Sequence, residues 1–116
     1  MNGKNWHAKY GFVSYLLVDR VTGDGMNEKG LAAGSYYHEG FAEYAGYDPS
    51  KAERSLAPTD VVNYMLSNFA TIDEVREGMK KVRVVPVKDP DIGETPPVHF
   101  FVADPSGSSL VIEYRG

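Results

Sequence analysis

An α+β fold, an antiparallel sheet carrying two helices on one face, is what this sequence of 116 residues predicts. Three observations lead there. Two neighbouring stretches near the middle, 58–69 and 72–81, repeat their apolar residues with helical period. Runs rich in β-branched and aromatic residues lie before and after them, at 10–18, 31–37, 83–87, 98–103 and 109–114. Twelve glycines and seven prolines punctuate the remainder, which argues against a plain helical bundle. The length is enough for one domain and too little for two. Residues 1–116 are therefore expected to form a single domain.

The first predicted strand runs from Tyr10 to Val18, with Phe12, Val13, Tyr15, Leu16, Leu17 and Val18 as its apolar side chains. Residues Asp19 to Gly25 read as a turn, because Gly23-Asp24-Gly25 has turn composition. Met26 to Gly30 is a short polar reversal whose closing glycine suits a left-handed residue. Leu31 to Tyr37 forms the second strand. Its small residues Ala32, Ala33 and Gly34 leave room for a close neighbour. Residues His38 to Ala57 read as a long irregular segment. Its aromatics Phe41, Tyr44 and Tyr47 argue that it is ordered and packed on the body.

Pro58 to Phe69 is the strongest helix, with Val61, Val62, Met65, Leu66 and Phe69 on one stripe and Thr59 as the expected cap. The second helix runs from Ile72 to about Lys81. Thr71 and Glu74 have capping-box spacing, and Ile72, Val75, Met79 and Val82 line the inner face. Gly78 costs this helix up to about 1 kcal/mol against alanine. A third strand follows at Arg83 to Val87. Strands at Val98 to Ala103 and Ser109 to Tyr114 then make a hairpin around Asp104-Pro105-Ser106-Gly107.

These last strands carry apolar residues on both faces, Phe100 beside Phe101 and Val111 beside Ile112. A two-layer domain needs only one apolar face on its sheet. The second face is thus expected to be covered. A homo-oligomer through this exposed sheet face is the simplest cover, and the long loop folding back is the alternative.

The composition narrows the chemistry. A net charge of −4 speaks against a nucleic-acid partner. No apolar run reaches the roughly 20 residues that cross a bilayer, so no membrane partner is expected. The opening residues 1–7 lack the apolar core of a signal peptide, which makes a cytoplasmic location the expectation. The chain has no cysteine, so disulfides, thiolate-bound metal and thiol catalysis are excluded within it. His7, His38 and His99 share no metal-ligand spacing, and no glycine-rich phosphate loop is present. No metal or cofactor is expected, and no nucleophile and base pair off. Tyr36, Tyr37, Tyr44 and Tyr47 cluster around the long loop, where tyrosine suits a ligand pocket, an interface or ordinary packing equally.

The stretch Asp24-Gly25-Met26-Asn27-Glu28-Lys29-Gly30-Leu31-Ala32 is more specific than any of these signals. It resembles the linear amide hydrolases that include choloylglycine (bile salt) hydrolase and penicillin V acylase. The resemblance extends through Trp6 to Gly11, Leu66 to Val75, Val98 to Asp104, Gly107 and Ile112 to Tyr114. It implies part of the four-layer αββα sandwich of N-terminal nucleophile hydrolases. It also implies a reaction in which an N-terminal cysteine attacks an amide carbonyl and its own α-amine serves as base. This chain has no cysteine, so no catalytic residue carries over. Against the family pattern it looks like an internal segment, without the strands that bear the nucleophile and without the C-terminal portion. On its own it is expected to be inactive. The alternative is a stand-alone oligomeric domain that binds a small ligand or a protein. Tyr37 falls where penicillin V acylases carry tyrosine and bile salt hydrolases asparagine, near the substrate. Phe41, Tyr44 and Tyr47 fall near the family's acyl pocket. These four residues are the implied substrate-binding set, for a small apolar acyl ligand.

Overall fold

The computed structural model describes residues 4, 6–17, 21–37, 44, 46–85 and 98–113. In chain order its elements are β1 Phe12–Leu17, β2 Val21–Asn27, β3 Ala32–Tyr37, β4 Ser55–Leu56, α1 Val61–Asn68, α2 Ile72–Met79, β5 Arg83–Val84, β6 Val98–Ala103 and β7 Ser109–Ile112. Five strands form one antiparallel sheet in the order β1-β2-β3-β6-β7. The expected α+β class holds.

The stretch Asp19 to Gly25, read as a turn, is the main departure. Residues 21–25 belong to β2, which pairs with β1 on one side and β3 on the other. Gly25 answers to packing rather than turning. A Cβ on Gly25 would lie 2.6 Å from the Val13 carbonyl oxygen and 3.0 Å from a Leu66 methyl, so only glycine lets the strand pass there. The reversal after β2 is as expected, with Gly30 at φ 87°.

A second departure concerns the strand at 83–87. β5 does not join the main sheet. It pairs in parallel with β4, Ser55 opposite Arg83 and Leu56 opposite Val84. This clip fastens the chain before α1 to the chain after α2, and the Leu56 carbonyl also accepts from Val85 N at 2.9 Å. The irregular segment is partly regular as well, since Pro49–Arg54 forms a 3-10 helix capped by Asp48.

The helix starts differ in how they are capped. Thr59 does not cap α1. The chain enters through a 3-10 turn at Pro58–Asp60, and Asp60 occupies the N-cap with near-helical angles and no side-chain cap bond. α2 begins as the spacing predicts. Thr71 Oγ1 accepts from Glu74 N at 3.2 Å, and the Glu74 carboxylate accepts from Ala70 N at 2.7 Å. The second helix ends at Met79, two residues short of the expected Lys81.

Both helices bury their stripes against one face of the sheet. Val61, Val62, Met65 and Leu66 of α1 and Ile72 and Val75 of α2 meet Leu31, Ala33, Val98, Phe100 and Val102. Each of these side chains larger than alanine contributes about 1.5–3 kcal/mol of transfer free energy. Alternation puts His99, Phe101 and Ala103 on the opposite face of β6, matching its buried-to-exposed pattern. That outer face stays open. Val13, Tyr15, Met26, Phe101 and Val111 are all exposed on it. Among the described residues no helix is long and apolar enough to cross a membrane.

Candidate functional site

The candidate site lies where β3 ends and β6 begins. Tyr37, the last residue of β3, pairs with Val98, the first of β6. β7 stops at Ile112, opposite Phe100, so it does not extend as far as Val98. Tyr44 comes in there from the long connection. Its hydroxyl accepts from Val98 N at 2.8 Å and donates to the Val98 carbonyl at 3.3 Å. One side chain thus satisfies both backbone groups of a strand end. Tyr44 is half-buried against the core, and this burial pushes its phenol above the usual tyrosine range, offset in part by the Val98 contact. A neutral phenol already engaged by backbone offers a ligand its ring face rather than a proton.

The structure therefore brings together two of the four residues that the sequence singles out, Tyr37 through its backbone and Tyr44 through its hydroxyl. Tyr47 is half-buried three residues on, beside an anchored loop. Phe41 lies outside the described residues, as does His38.

Arg83 is the residue that sequence reasoning missed. Its Nη2 donates to the Gly46 carbonyl at 2.9 Å, fixing the loop between Tyr44 and Tyr47 to β5. Its Nη1 is buried and finds no hydrogen-bond partner among the described residues. Asp48 follows in the same loop. Its carboxylate accepts from the Ser50 hydroxyl and the Ser50 N–H, which hold it below the usual range, with Lys51 and Arg83 adding smaller charge effects. Only a basic residue at a strand start marked Arg83 in the sequence, and its partner lies 37 residues away.

The most specific stretch of the sequence turns out to be scaffold. Asn27 is buried and makes four hydrogen bonds. Its Nδ2 donates to the carbonyls of Leu66 at 2.9 Å and Phe69 at 2.6 Å, and its Oδ1 accepts from Lys29 N and Leu31 N, both at 3.0 Å. It locks the β2–β3 reversal to the joint between the helices, closing carbonyls that the end of α1 leaves open. Glu28 accepts from Gly11 N at 3.0 Å. Asp24 has a different setting. Its carboxylate lies over Gly34 on the outer face, close to the Tyr36 hydroxyl. Tyr36 in turn stands opposite His99, ring centroids 5.9 Å apart. No group of three or more His, Asp or Glu among the described residues converges as a metal site.

Comparison with known proteins fits this scaffold. The whole chain, residues 1–116, matches the family described as linear amide C-N hydrolases, choloylglycine hydrolase family. An uncharacterised protein of Paramecium bursaria Chlorella virus 1 is 36% identical over 80% of this chain and 33% of its own length. Penicillin V acylase of Pectobacterium atrosepticum is 33% identical over 94% of this chain and 31% of its own. Among solved structures, penicillin V acylase from Agrobacterium tumefaciens superposes with a TM-score of 0.78 at 34% identity, over 94% of this chain and 31% of that one. The chain spans about a third of the length of the relatives it matches.

Proposed function

Since the chain belongs to the choloylglycine hydrolase family of linear amide C-N hydrolases, we propose that it is a portion of an amide hydrolase of the penicillin V acylase or bile salt hydrolase type, without activity of its own. The observation that carries the second clause is the absence of cysteine from all 116 residues. The reaction implied by the resemblance needs a thiolate to attack the amide carbonyl and a free amine beside it to take the proton.

What the chain retains in this reading is a surface for the acyl group. The resemblance assigns that role to Tyr37, Phe41, Tyr44 and Tyr47, and among the described side chains the Tyr44 ring is held in place because its hydroxyl is bonded to Val98. Support comes from the meeting of Tyr37 and Tyr44 at one strand end and from the Arg83 anchor of the intervening loop. Tyrosine at position 37 favours the penicillin V acylase side of the family. A cytoplasmic location goes with the same proposal.

Incubating the purified chain with penicillin V tests the reading. No phenoxyacetate should be released, and the intact mass should stay at that of the chain. Release of the acid, or a mass gain equal to the acyl group, would overturn it. Binding of a phenoxyacetyl amide that weakens in a Tyr47→Ala variant would support the acyl surface, and binding unchanged by that variant would remove it.

A further inference from the structure

The loop that carries Tyr44 and Tyr47 is tied to two different sheets. Tyr44 reaches β6 of the five-stranded sheet through the N–H and carbonyl of Val98. Two residues on, the Gly46 carbonyl accepts from Arg83 Nη2 at 2.9 Å, and Arg83 opens β5 of the two-stranded clip. The chain then runs from Asp48 through the 3-10 helix at Pro49–Arg54 into β4, where Ser55 pairs with Arg83 itself. Arg83 therefore closes the segment 46–55 at both ends. Its guanidinium grips the start and its backbone faces the end. That end is firm, because Ser55 is buried and its hydroxyl donates to the Lys51 carbonyl. The start is different. Gly46 is exposed, and a Cβ built on it would meet no described atom within 4 Å. Glycine has the freest backbone of any residue. Among the described residues no side chain packs at that point, so the bond from Arg83 holds a backbone that would otherwise swivel between Tyr44 and Tyr47.

We infer that Arg83 is a positioning residue for the acyl surface, a role that rests on the acyl-binding reading above. By pinning the Gly46 carbonyl it fixes the direction in which the chain leaves the Tyr44 anchor, and with it the place of Tyr47, the next residue. A surface held ready before the ligand arrives spares the cost of ordering it on binding. The guanidinium suits this task. A charged donor makes a stronger bond to a carbonyl than a neutral one. Its planar head is also stiffer than an ammonium on a flexible stem. Arg83 is itself well rooted, because Val84 and Val85 after it are buried and Val84 belongs to the core. The nearby Asp48 carboxylate is engaged elsewhere, by the Ser50 N–H at 3.0 Å and the Ser50 hydroxyl at 2.8 Å. The acyl surface is in this way coupled to the helix pair, since β4 precedes α1 and β5 follows α2.

Calorimetric titration of the purified chain with penicillin V, a phenoxyacetyl amide, tests this role. Arg83→Met keeps most of the side chain's length and removes its donors. It should weaken binding at least about threefold, with circular dichroism showing that the fold is kept. Arg83→Lys retains a charged donor and should recover part of the loss. Gly46→Ala added to Arg83→Met stiffens the freed backbone, where a methyl has room, and should recover part of it as well. Should Arg83→Met fail to fold, Arg83→Gln, whose amide falls short of Gly46, takes its place with the same expectation. Unchanged affinity in either substitution would overturn the positioning role and leave the acyl reading standing. A loss that neither Arg83→Lys nor Gly46→Ala recovers counts against it equally, since position is what those two restore. Absence of binding by the unaltered chain would remove the acyl reading, and the role of Arg83 with it.

Discussion

Asn27 shows how much one side chain can decide. Replacing it with alanine opens two backbone carbonyls and two N–H groups at the junction of sheet and helices. Each buried group left without a partner costs about 1–3 kcal/mol. Asn27→Ala is therefore expected to lose at least about 3 kcal/mol in urea denaturation, since more than one group is stranded. Asp104 acts in the same turn-locking way through charge. It accepts from the Ser106 hydroxyl and from Ile72 N at 2.9 Å, and these contacts hold its carboxyl below the ordinary aspartate range. A depressed folded-state pKa means that the unfolded chain binds the proton first. Stability from Asp104 is thus full above the unfolded value near about 3.9 and is lost as pH falls through the lower folded value. Thermal melting from pH 6 down to 2 should show a smaller drop in an Asp104→Asn variant than in the unaltered chain. The sequence makes Asp104 legible as a turn residue, but its tie to α2 spans 32 positions and cannot be seen there.

At the scale of elements, α2 contradicts its own propensity. Alanine for glycine inside a helix ordinarily gains about 1 kcal/mol. At Gly78 the ring tip of Phe69 occupies the place where a Cβ would stand. That ring is itself held edge-on to Tyr64, centroids 5.5 Å apart, and Tyr64 is held edge-on to Trp6 at 5.3 Å. Gly78→Ala is expected to lower the melting temperature rather than raise it. A variant that also shortens the ring, Phe69→Leu with Gly78→Ala, should recover part of that loss. The capping of α2 was legible because it is local, with Thr71 and Glu74 three residues apart. The β2 strand was hidden because glycine at 23 and 25 mimics a turn. Only the approach of Val13, Ser14 and Leu66 explains why position 25 must be bare.

For the whole molecule, the core rests on few side chains. Phe100 is fully buried at its centre, between both helices and the sheet. Phe100→Ala is expected to cost about 3–5 kcal/mol. A domain of this size holds only about 5–15 kcal/mol in total, so the variant should show a large fall in its urea midpoint. One layer of helices and one sheet also leave the second sheet face bare, and the chain is a third as long as its relatives. Its single layer pair thus corresponds to part of the larger fold, which is why an exposed apolar surface remains.

Sequence alone determined the fold class, the two helices, the hairpin at 98–112 and the family signature. These follow from local periodicity, capping chemistry and a contiguous motif. It also determined that the chain holds no cysteine. Tertiary structure decided that β2 is a strand, that β5 leaves the main sheet to clip onto β4, and that Arg83 and Tyr44 anchor the loop of the candidate site. It decided too that the signature's Asn27 serves as scaffold. Each of these depends on partners far apart along the chain, and local composition holds no record of which distant backbone group a side chain will meet.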